Sequence, residues 1–244
     1  MDQALDQLLG KNNYVIWCVS LKRATDRRQT FTAWAEHIGM SFQFWDATDY
    51  LDLTPNDFIE LCNVHINHKK VSGASACRIS ITKCMEHFLT QTDKAYVLIF
   101  EDDAGFGDPN MNTTSSSTEL SNKTSFIQFL QECKLYTDEN GRDSWHSIFF
   151  GYYDGDIDRK IQLSPKYPML CRALGTSCTH AMLFHRSVLY PLLDILHKEE
   201  HKKLPVDEFT KQMMLQFQKT IMPSSTIVGQ ISNEKGYIDY DLDE

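Results

Sequence analysis

The run Ala95-Tyr96-Val97-Leu98-Ile99-Phe100, closed at once by Glu101-Asp102-Asp103, constrains this chain more than any other feature. An uncharged run of strand length with no polar alternation reads as a strand buried on both faces, and such strands belong inside sheets that helices cover on two sides. Three carboxylates at its mouth repel one another, so the arrangement is costly unless solvent or a cation offsets it. Carboxylate oxygens suit hard divalent ions such as manganese or magnesium, which keep positions open for phosphate oxygens. The triplet reads equally as a solvated acidic turn, and the segment alone leaves both readings open.

The flanking segments supply the rest of a sheet and its helices. Tyr14 to Leu21 is apolar and β-branched, and Phe31, Trp34, Ala35 and Ile38 follow at helical spacing. Ser41 to Trp45 alternates as a second strand, and Pro55, Phe58, Ile59 and Cys62 repeat the helical pattern. Cys77, Ile81, Cys84, Met85 and Phe88 mark one face of a helix over Ala74 to Gln91 that leads into the acidic strand. Gly105 to Lys123 is polar and reads as a loop near the site. Beyond it the pattern predicts a helix through Phe126 and Cys133, strands over Ser147–Tyr152 and Thr179–Phe184, and two late helices through Val188–Leu196 and Val206–Phe217. Strands alternating with helices predict an α/β domain, one unit over all 244 residues. In such sheets ligands collect at the carboxyl ends of strands, where the triplet lies.

Charge narrows the partners. A net charge of -9 opposes nucleic acid or an anionic membrane as the main partner. No stretch approaches the ~20 apolar residues of a membrane helix, and Met1-Asp2-Gln3 lacks the basic-then-apolar profile of a secretory signal, so a cytoplasmic protein without a transmembrane segment is expected. The seven cysteines are odd in number and mostly set among apolar residues, which reads as reduced core. Cys62, His65 and His68 have a spacing that suggests zinc, but no fourth ligand or paired CxxC accompanies them.

In chain order, Val19-Ser20-Leu21-Lys22-Arg23 with Asp26-Arg27-Arg28, then Asp46-Ala47-Thr48-Asp49, then Gly73 with Cys77 and Ser80, then Val97 to Asp103, resemble glycosyltransferase family 25. Thr179-His180-Ala181 with Arg186-Ser187, and Pro205-Val206-Asp207-Glu208-Phe209, resemble its later blocks. That family includes lipooligosaccharide and collagen hydroxylysine galactosyltransferases. The resemblance implies a GT-A type nucleotide-sugar-binding fold, with a mixed central sheet and helices on both faces. It also implies a UDP-sugar donor, UDP-galactose or UDP-glucose, inversion at the anomeric carbon, and manganese (or magnesium). The implied acceptor is a hydroxyl on a glycan or a hydroxylated lysine of a protein. Where the family usually carries a glutamate after the glycine and a histidine after the serine, this chain has Ala74 and Ile81. A degenerate copy that binds without turnover is therefore the alternative. A nucleotidyltransferase or phosphatase lacks support, because no phosphate-cradling glycine loop is present.

The resemblance distributes roles onto matching positions. Asp103 is the expected metal ligand, with Glu101 or Asp102 completing contacts to the metal or the ribose, while His180 reads as a further metal ligand, a contact to an acceptor hydroxyl or a structural histidine. Ser20, Arg23, Arg27, Asp46, Ser80, Lys83, Glu101 and Asp102 form the expected donor-binding set. Guanidinium groups suit phosphate by bidentate hydrogen bonding, though Arg23, Arg27 and Arg28 also read as a solvated helix start. Inverting transfer needs a base for the acceptor hydroxyl, and Asp207 or Glu208 is the candidate. Pro205 fits a first-turn position, so both acids also read as ordinary stabilisers of a helix start.

Overall fold

A computed structural model describes residues 1–62, 69–105, 116–151, 160–175, 180–198, 201–202 and 206–230. Helix α1 (Asp2–Leu9) leads into β1 (Tyr14–Ser20), and α2 (Thr25–Ile38) returns to β2 (Gln43–Asp46). A 3-10 turn at Tyr50–Asp52 follows, then α3 (Pro55–Cys62), α4 (Lys69–Gln91), β3 (Tyr96–Glu101) and the short β4 (Ala104–Gly105). Next come α5 (Ser116–Asn140), β5 (Ser147–Phe149), β6 (Lys160–Gln162), β7 (Leu170–Ala173) and β8 (Ala181–His185). The described elements end with α6 (Arg186–Leu196), α7 (Val206–Phe217), β9 (Thr220–Pro223) and β10 (Gly229–Gln230).

Eight strands form one mixed sheet in the order β2-β1-β3-β8-β5-β9-β7-β6. The strand of uninterrupted apolar residues, β3, lies inside it, parallel to β1 and antiparallel to β8. Its side chains divide between two cores, as the period of two in a strand requires. Tyr96, Leu98 and Phe100 face one core with residues of α1, α2 and α5. Val97 and Ile99 face the other with residues of α4, α6 and α7. The expected α/β architecture, a mixed sheet with helices on both faces, is the one observed. Ile81 is 1% exposed in the second core, so packing explains its place on the apolar face of α4.

Local signals fix the element ends that matter for the site. Helix α2 buries Phe31, Trp34, Ala35 and Ile38, and stops at Gly39, whose φ of 68° is the left-handed cap conformation. Phe31 then packs edge-on against Trp34 and Phe42 at centroid distances of 5.2 and 4.9 Å. The buried Phe31 and Trp34 rings each contribute about 1.5–3 kcal/mol, enough to hold α2 and its arginine-bearing first turn against β1 and β2.

Some elements differ from the sequence reading. The polar stretch 105–123 is not one loop, since α5 begins at Ser116 and residues 106–115 lie outside the described ones. Helix α1 was not expected, yet Leu5, Leu8 and Leu9 are buried. The short strands β6, β7 and β9 were also unexpected. Tyr152, Thr179, His65 and His68 lie outside the described residues. Cys18, Cys77, Cys84, Cys133 and Cys171 are free thiols. Among the described residues no helix is long and apolar enough to cross a membrane.

Candidate metal and donor site

Strands β1, β2 and β3 run parallel, so Ser20, Asp46 and Glu101 stand together at one edge of the sheet. Strand β8 runs the other way, and its preceding residue His180 meets the same edge. There the Glu101 N–H donates to the His180 carbonyl at 3.0 Å.

The acidic triplet divides between two sides of the sheet. On the α4 side, Glu101 Oε2 lies 3.0 Å and Asp103 Oδ1 3.7 Å from His180 Nδ1. One ligand atom from each of the three residues falls within 4.8 Å of the others. The 3.0 and 3.7 Å separations suit donors around one six-coordinate ion with metal–oxygen distances of about 2.0–2.2 Å, a pair at the full 4.8 Å would have to close slightly on the ion, and two carboxylates with an imidazole match manganese or magnesium better than a soft metal. The residues present therefore fit the implied ion. Cys77 Sγ lies 3.9 Å from Glu101 Oε1, beyond the three donors.

On the α2 side, Asp102 is turned toward β1 and is 8% exposed. Ser20 Oγ donates to Asp102 Oδ2 at 2.7 Å, and Arg27 forms an ion pair with the other oxygen. Burial raises the Asp102 pKa, against the lowering effects of Arg27 and Ser20. Arg27 Nη2 also lies 3.3 Å from Asp103 Oδ2, so one guanidinium spans two members of the triplet.

The other expected donor residues are already engaged. Arg23 pairs with Asp49, and Leu51 N–H donates to the same carboxylate at 3.1 Å. Burial would raise Asp49, but these contacts outweigh it and leave the carboxyl below its ordinary range. Asp46 receives Arg28 at 2.7 Å and Lys22 at 3.2 Å. The hydrogen bond from Arg28 is the main reason its pKa is lowered. Ser80 Oγ accepts the Thr48 N–H at 2.9 Å, bracing the loop after β2 against α4. Lys83 is not brought to this edge; it lines a cleft with Glu60, Arg78 and Leu196 on the outer side of α4.

Asp207 and Glu208 occupy the first turn of α7, and their side chains, with Pro205, lie outside what the structure describes. The strand order locates the start of the helix itself. Helix α7 leads into β9, which is parallel to β5 and so runs in the same sense as β3. The start of α7 therefore points toward the edge where β3 ends.

Sequence reasoning missed two parts of this edge. Arg28, which the sequence sets with Arg23 and Arg27 as a phosphate contact, binds Ser20 and Asp46 at the strand ends. The other part is β10, which pairs with β4 directly after Asp103 and sets Gln230 opposite Ala104. A two-residue strand carries no periodicity from which to find it.

The fold and the site together define an α/β protein with a carboxylate- and arginine-lined candidate ligand site at the carboxyl edge of its parallel strands. The sequence profile of glycosyltransferase family 25 (LPS biosynthesis protein) matches residues 11–210, and the chain belongs to that family. Glycosyl transfer is thereby its general chemistry, and the mixed sheet is consistent with a GT-A-like fold. No curated protein matches the chain significantly. Among solved structures it is similar to one described as a glycosyltransferase involved in the glycosylation of the major capsid of PBCV-1, at 10% identity over 76% of this chain and 67% of that one, with a TM-score of 0.31.

Proposed function

We propose that this chain transfers a hexose, galactose or glucose, from a UDP-sugar to a hydroxyl of a glycan or a hydroxylated lysine, with inversion at the anomeric carbon. Glu101, Asp103 and His180 would hold manganese or magnesium. The convergence of these three side chains within 4.8 Å is the observation that carries the reading.

A divalent ion held there supplies positive charge against the departing diphosphate. The chain's own residues do the rest. Arg27, which pairs with Asp102 and Asp103, would exchange a carboxylate for a diphosphate oxygen. Ser20 and Asp46 line the adjoining strand ends, where ribose or base would lie. Asp207 or Glu208 takes the proton of the acceptor hydroxyl as its oxygen bonds to the anomeric carbon and the bond to the diphosphate breaks. Incubation with a panel of UDP-sugars, manganese and hydroxyl acceptors should release UDP. Absence of release with every donor and acceptor tried would count against the reading.

The alternative is a binding protein of the same fold. It draws support from Ile81, which sits in the core where the family resemblance leads one to expect a histidine. Calorimetric titration of UDP with and without manganese separates the two. Metal-coupled UDP binding without turnover of any UDP-sugar favours the binding protein.

A further inference from the structure

Arg28 ties the ends of β1 and β2 together and reaches the turn after β3 through Ser20. Its Nε donates to Ser20 Oγ at 3.2 Å, while Nη2 donates to the Ser20 carbonyl at 2.9 Å and to Asp46 Oδ1 at 2.7 Å. The Phe44 ring lies 4.7 Å from its Cζ, fixing the plane of the guanidinium. Ser20 is 2% exposed and its hydroxyl donates onward to Asp102 Oδ2 at 2.7 Å. Ser20 Oγ also faces the Leu21 carbonyl at 3.4 Å, but the carboxylate at 2.7 Å is the nearer and charged acceptor, which sets the direction of the relay. A guanidinium has only donors, so Ser20 Oγ accepts from Arg28 and keeps its one proton for the carboxylate.

The consequence falls on the neighbours of Asp102. Glu101 ends β3, and Asp102 and Asp103 form the turn before β4. Holding the middle side chain of this short segment against β1 decides which way the other two point. We propose that Arg28 and Ser20 are positioning residues which, by fixing Asp102 toward β1, direct Glu101 and Asp103 to His180 at the spacing a single divalent ion needs. This rests on reading Glu101, Asp103 and His180 as a metal site. Neither Arg28 nor Ser20 touches the ion; both act through Asp102. Outer partners that orient metal ligands typically carry 10–100-fold of the affinity.

The test is Mn²⁺ affinity, read from the electron paramagnetic resonance signal of free Mn²⁺ in titrations of the full chain, well below the melting temperature of each variant. Ser20→Ala and Arg28→Met should each weaken Mn²⁺ binding about tenfold. Because they interrupt one relay, the double variant should be within about twofold of the weaker single one. Asp103→Ala should remove binding. A merely structural Arg28 would lower the melting temperature and leave the affinity of the folded protein unchanged. Unchanged Mn²⁺ affinity in Ser20→Ala and Arg28→Met, with binding lost in Asp103→Ala, overturns the relay and leaves the metal site standing. Unchanged affinity in Asp103→Ala overturns the site, and the relay falls with it. Should Arg28→Met not fold, Ser20→Ala, which removes one oxygen atom, decides alone.

Discussion

His180 stands beside Glu101, Nδ1 to Oε2 at 3.0 Å, because β8 runs antiparallel to β3 in a register that sets Ala181 opposite Phe100. The pair is 79 positions apart in the chain, and the ladder between the strands brings them together. If they share an ion with Asp103, metal binding adds stability. At about 100 times its dissociation constant a ligand stabilises by about 2.7 kcal/mol. For a chain of this length that is a rise of about 5–10 °C in melting temperature. Differential scanning fluorimetry with manganese should show the rise in the native protein, and little of it in Asp103→Asn or His180→Gln. No shift in the native protein would count against a resident metal.

Gly151 fixes the return of the chain to this edge. A Cβ built on it would sit 1.9 Å from the Val228 carbonyl oxygen, a contact with backbone that no rotamer relieves. Val228 N–H donates to the Phe150 carbonyl at 3.1 Å, and the next residues form β10 beside β4. Gly151→Ala must therefore push β10 outward or strain β5. A loss of about 1–3 kcal/mol is expected, as for other overpacked sites. Urea unfolding measures it, and Mn²⁺ titration of the folded variant should show weakened binding, since β4 directly follows Asp103. Native stability in Gly151→Ala would show that the backbone gives way there without cost.

The sequence made the interior of the sheet legible and left its margins obscure. β3 and β1 were readable because a doubly buried strand must be apolar without interruption, and Tyr14 to Val19 and Ala95 to Phe100 are. β6, β7 and β9 are three or four residues long, too short for alternation to rise above chance. At the site, Glu101, Asp103 and His180 were readable as residue types that bind metal. The split of the triplet, with Asp102 turned away, was not. It depends on Ser20 lying one strand over, 82 positions earlier, and no local pattern encodes that. Lys83 shows the opposite error: Ser80 and Lys83 are three residues apart, but only Ser80 reaches the edge, because Lys83 falls on the outer side of α4.

Arg186 closes the far end of α4. Its guanidinium donates to the carbonyls of Leu89 at 2.9 Å, Lys94 at 2.7 Å and Thr92 at 2.5 Å, and its backbone N–H to Ala95 at 2.7 Å. Carbonyls at a helix end have no intrahelical donor, and a cation there also opposes the negative end of the helix dipole. Arg186→Ala leaves these acceptors without their donor and should cost about 3 kcal/mol. Arg186→Lys restores the charge without the planar fork and should recover less than half of that. Chemical denaturation of both variants checks the order. Equal stability of the lysine variant and the native protein would make charge alone sufficient.

His146 and His185 meet at the same end, where the His185 N–H donates to the His146 carbonyl at 2.9 Å. Burial, then Lys219 and His185, lower the pKa of His146 against the opposing Asp143. Burial lowers that of His185, with Arg142 adding to it and Asp143 opposing. Both rings thus favour the neutral form when folded, and the unfolded chain binds more protons between the lowered values and the ordinary value of about 6.5. Their contribution to stability is complete above about pH 6.5 and is lost as pH falls through the lowered values. His185 has a second reason to stay neutral, since its Nδ1 accepts the Ser187 N–H at 3.3 Å and caps the start of α6. Protonation removes that acceptor and sets a positive charge at the positive end of the helix. Melting temperature should fall as pH drops below about 6.5, and less so in His146→Gln/His185→Asn, which keeps an acceptor at the cap and cannot titrate. A slope as steep in that double variant as in the native protein would move the acid sensitivity to other groups.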